Sequence, residues 1–208
     1  INARAVELAM DTHVPIRVRS TFQPDDLGTL VTHRFVAPEY TIAGISLDLS
    51  QASISLKTPQ FGLHETKPLE GVTSLFTRLQ ELNIQTDMVM LLAREDEPLQ
   101  ELAFTLDEKA LPRVKAIIES LDEALGKPHV SVDTDIARIS VVGRRLTARP
   151  EIVAGVFEAL ISAEIPVHMV ATADIRVSVL LPIRYASFAV KLIHNRFGLS
   201  DGSFRTLD

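Results

Sequence analysis

Three arginines in one short segment, Arg144, Arg145 and Arg149, are the side chains whose type and spacing best suit ligand chemistry. They follow a β-rich run and precede a run of helical spacing, so we expect them at a strand–helix junction. A guanidinium group binds carboxylates and phosphates through paired N–H donors. The cluster therefore predicts a site for a carboxylate or phosphate, with a solvated loop as the alternative.

The remaining reactive side chains exclude several other kinds of site. The sequence has no cysteine, which rules out disulfides, thiolate catalysis and thiolate metal sites. Its six histidines lack the spacing of a metal site, and we expect His168 and His194 to pack within a strand and a helix. We therefore expect no metal and no resident cofactor. The net charge of −6 disfavours broad contact with nucleic-acid phosphates.

The composition is that of a folded domain. Of the 208 residues 46% are hydrophobic, which is enough for an ordinary core. No apolar run reaches the roughly 20 residues that span a bilayer. The first ten residues lack the order of a signal peptide. These features predict a cytoplasmic protein.

Two stretches of the sequence, 70–89 and 151–170, copy each other at a constant offset. In both copies the apolar residues fall at helical spacing and then switch to a short β-rich run. The matched pairs are Glu70 and Glu151, Val72 and Val153, Phe76 and Phe157, Leu79 and Leu160, Ile84 and Ile165, Met88 and Met169, and Val89 and Val170. This repeat predicts a duplicated α+β module, and such pairs often hold a small ligand between them.

The periodicity predicts the elements that position these residues. Helices are predicted over 2–11, 69–82, 109–124, 150–163 and 184–197. Strands are predicted over 14–22, 28–31, 41–50, 51–58, 84–92, 99–107, 129–135, 136–143, 165–172 and 175–182. Residues 32–40 are typical of a linker and 59–68 of a loop.

Each copy has the order β-α-β-β-α, and the first copy also has a closing strand at 129–134. The second copy lacks one, because no β pattern follows Gly198. Residues 41–49 supply a spare strand, so we predict that they complete the second module beside 136–143 or 175–182. The first module is then inserted within the second. A β-α-β-β-α-β unit is ferredoxin-like, an α+β fold with helices on one face of an antiparallel sheet. Its exposed edges and open face predict a homodimer.

Three separated segments resemble one known family. VVGRRLTARPEIVAGVFEAL, IPVHMVATADIRVSVLL and AVKLIHNRFGL are similar to the second regulatory ACT domain of aspartate kinases. AGISLDLSQASISL resembles the lead-in to the first ACT domain of that family. INARAVELA, VPIRVRSTF and GTLV resemble the end of its amino-acid-kinase domain.

This resemblance implies a domain organisation and a role. Residues 1–34 would be a kinase-domain tail and linker, 50–134 an inserted first ACT domain, and 41–49 with 135–200 a second ACT domain. The family phosphorylates aspartate with MgATP on the route to lysine, threonine and methionine, and its ACT pair senses lysine, threonine or both. The family's phosphate loop and aspartate-binding motif are missing here. We therefore expect no catalytic residue, ATP and Mg only in a kinase domain outside this sequence, and a kinase catalytic domain or subunit as partner.

The resemblance also implies an effector site. Gly143, Pro150, Thr172 and Ile175 match the family pattern, and Asp87 matches an acidic residue that could hold an ammonium group. We expect an aspartate-family amino acid where the 143–151 loop faces the 171–175 turn, since helix N-termini favour carboxylates. Arg149 is the predicted carboxylate partner, and Asp174 or Asp87 the predicted ammonium partner. Glu151, where the family has glycine, should weaken binding.

Further departures from the family leave two alternatives open. Lys67, Pro68, Leu69 and Glu70 stand where the family has Asp-Lys-Pro-Gly, and Leu91 and Leu92 where it often has Gln-Asn. Ala171, Ala173 and Asp174 replace two serines and a glutamate. Such changes favour a dimerisation module that has lost effector binding. The other alternative is a free-standing amino-acid sensor, which the kinase-like first segment disfavours.

Overall fold

The computed structural model describes residues 3–23, 25–32, 42–58, 67–92 and 100–199. Its contacts divide the chain into two compact units, Ile1–Thr41 and Ile42–Asp208. Every helix within the described ranges is too short or too polar to cross a membrane. Most of the predicted 32–40 linker and 59–68 loop lies outside those ranges.

The first unit contains α1 (Ala3–Asp11), β1 (Ile16–Val18) and β2 (Thr29–Val31), and the two strands pair antiparallel. The predicted helix and second strand are confirmed, whereas the strand predicted over 14–22 is only three residues long. Gly28 has a φ of +65°, and a Cβ there would lie 2.0 Å from the Val18 carbonyl oxygen. Glycine is therefore required at this turn. The assignment of 1–34 to a kinase tail stays a prediction.

The second unit carries one six-stranded sheet and four α-helices among its described residues. The strand order is β4-β5-β3-β6-β8-β7, and all neighbours pair antiparallel. The elements are β3 (Ile42–Thr58), α2 (Lys67–Glu81), β4 (Thr86–Leu92), β5 (Gln100–Asp107), α3 (Leu111–Ser120), β6 (His129–Gly143), α4 (Pro150–Ile161), β7 (Met169–Ala173), β8 (Arg176–Pro182) and α5 (Ala186–Arg196).

The two modules share the long strands β3 and β6. The first half of β3 pairs with the second half of β6, from Ile42 opposite Gly143 to Asp48 opposite Arg138. The second half of β3 pairs with β5 and with the start of β6. The first module thus has the chain order β-α-β-β-α-β and is inserted in the second, whose closing strand is the first half of β3. The predicted α+β fold is confirmed, as is the pairing of 41–49 over its described part.

The sequence predicted two strands where β3 runs and two where β6 runs, but each of these is one continuous strand. The prediction was wrong because a polar turn bends each long strand without ending it. The Ser50 N–H donates to Asp48 Oδ1 at 2.9 Å, and the Asp135 N–H donates to Asp133 Oδ1 at 2.9 Å. Aspartate stabilises such a turn with its own side chain. The β3–β6 register shifts at these bends.

The repeated helices α2 and α4 end in the same way. Asn83 and Glu164 occupy equivalent positions and have φ values of 52° and 55°. The Ile84 N–H donates to the Leu79 carbonyl at 2.9 Å, and the Ile165 N–H to the Leu160 carbonyl at 3.0 Å. A left-handed residue that ends a helix in this way commonly joins two apolar residues across the turn. The repeat is visible in the sequence because these apolar positions are buried in both modules.

Each module has its own core, and a third cluster joins them. The first core packs α2 and α3 on β3 and β5, and the second packs α4 and α5 on β6 and β8. The third contains Met88 from β4, Ile136 from β6 and Leu180 from β8, with Met169 beside them. Met88 and Met169, a matched pair of the repeat, are thus packing residues. The modules therefore cover part of each other's open sheet face.

Candidate functional site

Three hydrogen bonds fix the 143–151 loop against the turn between β7 and β8. The Gly143 N–H donates to the Ile175 carbonyl at 2.9 Å, and the Leu146 N–H to the Asp174 carbonyl at 2.8 Å. The Thr147 hydroxyl donates to Asp174 Oδ1 at 3.0 Å. The structure thus brings Gly143, Asp174 and Ile175 together, as the sequence predicted.

Local sequence explains this arrangement. Ala173 pairs with Arg176, so Asp174 and Ile175 form a two-residue hairpin turn. Across from it, the buried Leu146 anchors a short 3-10 turn. Pro150 then begins α4, where a missing N–H costs nothing. Thr172 lies exposed on β7, opposite Val177 and two residues before Asp174.

Two predicted ligand-binding side chains already have partners here, Arg149 in the loop and Asp174 in the facing turn. Arg149 lies 3.7 Å from Glu151, and both side chains are more than half exposed. Asp174 accepts the Thr147 hydroxyl. Exposed contacts of this kind contribute little to stability and are readily exchanged. A ligand carboxylate would therefore compete with Glu151 for Arg149, and a ligand ammonium group with Thr147 for Asp174.

Asp87, the other predicted ammonium partner, lies in an ion-pair network between the modules, and its role toward a ligand stays a prediction. It accepts hydrogen bonds from the guanidinium groups of Arg138 on β6 and Arg176 on β8. Arg138 also donates to Asp48 Oδ2 at 3.0 Å. Asp87 belongs to the first module and both arginines to the second, so this ion-pair network, Asp48–Arg138–Asp87–Arg176, ties the modules together.

A β-bulge places Asp87 and Met88 at the other module. The β4–β5 register shifts between Asp87 and Met90, and Met88 has a φ of 33°. The Met88 N–H donates to Asp87 Oδ1 at 3.0 Å. Bulges redirect side chains, and this one directs a carboxylate and an apolar side chain to the second module. A left-handed methionine is unfavourable, and burial of its side chain in the third cluster offsets that cost.

A polar cavity of about 720 Å³ lies beside the ion-pair network. Both modules line it, with residues from the start of β4, the start of α3 and the bends of β3 and β6. The charged residues of its wall are Asp48, Asp87, Asp107, Lys109, Arg113, Arg138 and Arg176. Gln51 is also in the wall. Within the part of the chain that the structure describes, no group of three or more acidic or histidine side chains could hold a metal ion.

Sequence reasoning missed Arg138 and Arg176. Each alternates with apolar residues in its strand, a pattern that also fits an ordinary strand with one solvated face. Their alternation along the strand could have revealed them. It places both arginines on the sheet face that carries Ser140 and Ser178, opposite the face that carries the core valines. Such a charge needs a partner when the other module packs over that face.

Comparisons with known proteins agree with this architecture. Residues 139–197 match the ACT domain family. The aspartokinase of Thermus thermophilus is 31% identical over 205 residues, which cover 96% of this chain and 47% of that protein. The chain thus spans about half the length of the curated relatives it matches.

Solved structures show the same fold. The ligand-free regulatory subunit of aspartate kinase from Thermus thermophilus has a TM-score of 0.64 and 28% identity, over 76% of this chain and 99% of that chain. Aspartokinase III of E. coli in complex with lysine and aspartate has a TM-score of 0.69 and 21% identity, over 91% of this chain and 40% of that chain. The second likeness concerns the fold alone.

Proposed function

Because this chain is related to aspartokinases and has the fold of their regulatory subunits, we propose that it senses an amino acid and regulates an aspartokinase catalytic domain or subunit. One observation carries the proposal: the interleaved modules match 99% of a regulatory subunit's chain with a TM-score of 0.64. The phosphorylation of aspartate itself would need residues outside this sequence. The chain's own contribution is to bind the effector and to change the arrangement of the modules.

The effector is an aspartate-family amino acid, with lysine or threonine as the first candidates. The likeness to aspartokinases supports this class. We place the effector at the 143–151 loop, with Arg149 toward its carboxylate and Asp174 toward its ammonium group. The helix N-terminus at Pro150 adds a favourable potential for the carboxylate.

Transmission follows from the shared strands. Gly143 ends β6 beside the loop, and the same strand runs back to the first module through the bend at Asp133. An effector that binds one arrangement of the loop more tightly shifts the population toward that arrangement. The Asp87 network is the polar contact that such a shift would remake.

Glu151 weakens this site, and its removal should tighten effector binding. Replacing Glu151 by glycine releases Arg149 and opens the backbone of the first turn, for a gain of about 1–3 kcal/mol if the bound ligand leaves the site partly desolvated. Glu151→Gln separates the two causes, since it releases Arg149 and keeps a side chain. Isothermal titration with lysine and with threonine measures the change.

The equivalent glutamate of the first module gives the control. Glu70→Gly makes the same change at the start of α2 and should leave binding at the 143–151 loop unchanged. Equal affinities of the wild type and Glu151→Gly would show that the glutamate does not obstruct the site. No binding by either would favour the second candidate, a dimerisation module, which the existing Arg149–Glu151 and Thr147–Asp174 contacts also support.

The chain forms a homodimer through the edge strand β4. Four consecutive apolar residues of that strand, Val89–Leu92, are between 36% and 53% exposed, and among the described strands β4 pairs only with β5. Exposed apolar edges associate.

Light scattering should give twice the chain mass at micromolar concentration. Leu91→Lys should give the mass of one chain. Ile161→Lys, a change at a more exposed apolar side chain on α4 (68% against 45%), should leave the dimer intact. A monomeric wild type would contradict this assembly.

A further inference from the structure

The polar cavity at the module junction has the dimensions and the wall of a small-molecule site. Its volume of about 720 Å³ lies within the usual range for ligand pockets. The first module contributes the Asn83–Asp87 segment, Lys109 and Arg113, and the second contributes Asp48, Arg138 and Arg176. A ligand here would contact both modules. The 143–151 loop contributes no residue to this wall.

The charges of the wall are unbalanced. Four cationic side chains, Lys109, Arg113, Arg138 and Arg176, face three carboxylates, Asp48, Asp87 and Asp107. Arg138 and Arg176 are committed to the ion-pair network. Among the described residues, the side chains of Lys109 and Arg113 have no hydrogen-bond or ion-pair partner. Two cations at the start of α3 are therefore available to carboxylate groups.

Gln51 is a second and independent indication of a ligand. It is only 5% exposed, and its side-chain oxygen Oε1 is buried without a hydrogen-bond partner in the described structure. Its nitrogen Nε2 donates to Asp48 Oδ2 at 2.8 Å. A carboxylate accepts only from the nitrogen, so Asp48 fixes the orientation of the amide. A buried carbonyl oxygen left in this state is costly, and a donor from a bound molecule would relieve that cost.

We propose that this cavity binds a small dicarboxylic α-amino acid such as aspartate or glutamate. Arg113 and Lys109 bind its carboxylates. Its ammonium group lies beside Asp48, where a rotation of the Gln51 side chain uncovers the buried Oε1 to accept a hydrogen bond from it. The ligand carries a net charge of −1, which neutralises the excess positive charge of the wall. A monocarboxylic amino acid would leave one of the two cations unneutralised, and a basic one would add charge of the wrong sign.

Such a ligand would stabilise the junction of the modules. It would link the start of α3 to the bends of β3 and β6, in addition to the Asp87 network. A molecule that binds the folded chain and not the unfolded one raises the melting temperature, and the rise continues with the logarithm of ligand concentration above the Kd. Aspartate or glutamate should therefore raise the Tm of this chain, at concentrations above its Kd.

The test is a calorimetric titration of the full chain with L-aspartate, L-glutamate, succinate and L-lysine. We expect saturable binding of aspartate or glutamate that saturating lysine or threonine leaves in place. Succinate has both carboxylates and no ammonium group, and it should bind at least about tenfold more weakly because Gln51 then lacks a donor. Equal binding of succinate would overturn the assignment of Gln51, and absence of binding by both amino acids would overturn the site.

Two variants locate the site. Arg113→Gln should weaken the binding of the acidic amino acid at least about tenfold, since it removes a charge-assisted contact. Lys115→Gln, an exposed change on the same helix outside the cavity, should leave it unchanged. Equal affinities of Arg113→Gln and wild type would place the ligand elsewhere. Neither variant should alter lysine or threonine binding. The test of this cavity is therefore independent of the test of the effector site at the 143–151 loop.

Discussion

Replacing Ile136 by alanine should lower the free energy of unfolding of the second unit by about 2–5 kcal/mol, the range for a buried large-to-small change. Ile136 is 0% exposed and lies at the bend of β6, in the cluster with Met88 and Leu180. It also faces Gln51 of β3 at the point where the register shifts. The space left by the shorter side chain would lie between the two modules, where neither pair of helices can move in to fill it.

Chemical denaturation followed by circular dichroism measures this effect. Val130→Ala is the control, because Val130 lies on the same strand and is 38% exposed. It should cost less than about 1 kcal/mol, as removal of half-exposed methyl groups does. Since β3 and β6 run through both modules, we expect the second unit to unfold in one transition that Ile136→Ala shifts as a whole. Two transitions, of which only one moves, would show that the modules fold independently.

Replacing Asp87 by alanine should cost about 2–4 kcal/mol, because it leaves two arginines without their shared carboxylate at the junction. The cost falls below that of a fully buried pair, since the Arg176 side chain is 41% exposed. Arg138 keeps Asp48 as a partner. Asp87→Asn keeps one acceptor oxygen and the shape of the side chain, so it should lie between wild type and Asp87→Ala.

The salt dependence of the stability lost in Asp87→Ala distinguishes a contribution from ion pairs from one due to packing. If the network stabilises the junction, the difference between wild type and Asp87→Ala should shrink as ionic strength rises. Glu158→Ala provides the comparison, because Glu158 lies 2.7 Å from Arg196 in a pair whose side chains are 63% and 48% exposed. A loss at Asp87 no larger than that at Glu158 would contradict the role of the network.

The repeat allowed much of this fold to be predicted. The helix and strand after Glu70 and Glu151 follow the same apolar spacing, and that spacing gave both modules and their order. The absence of a strand pattern after Gly198 then required a strand from elsewhere, and 42–48 supplies it. These inferences succeeded because they depend on local periodicity and on the number of strands that a ferredoxin-like sheet needs.

The parts that could not be predicted depend on contacts distant in sequence. The turns at Asp48 and Asp133 break the apolar alternation, so each long strand resembled two short ones. Asp87 matched a family position associated with ligands, yet the bulge at Met88 directs it to Arg138, 51 residues away. Nothing in the sequence near Asp87 specifies that partner, because the pairing follows from how the two modules of the sheet meet.

The most direct test of the regulatory proposal is calorimetric titration of the full chain with lysine and threonine, separately and together. The proposal predicts saturable binding of at least one of them, with affinity that increases in Glu151→Gly. It also predicts that Asp87→Ala changes this affinity, because the effector site and the module junction are connected through β6. A folded chain that binds neither amino acid at millimolar concentration, in the wild type and in Glu151→Gly, would contradict it.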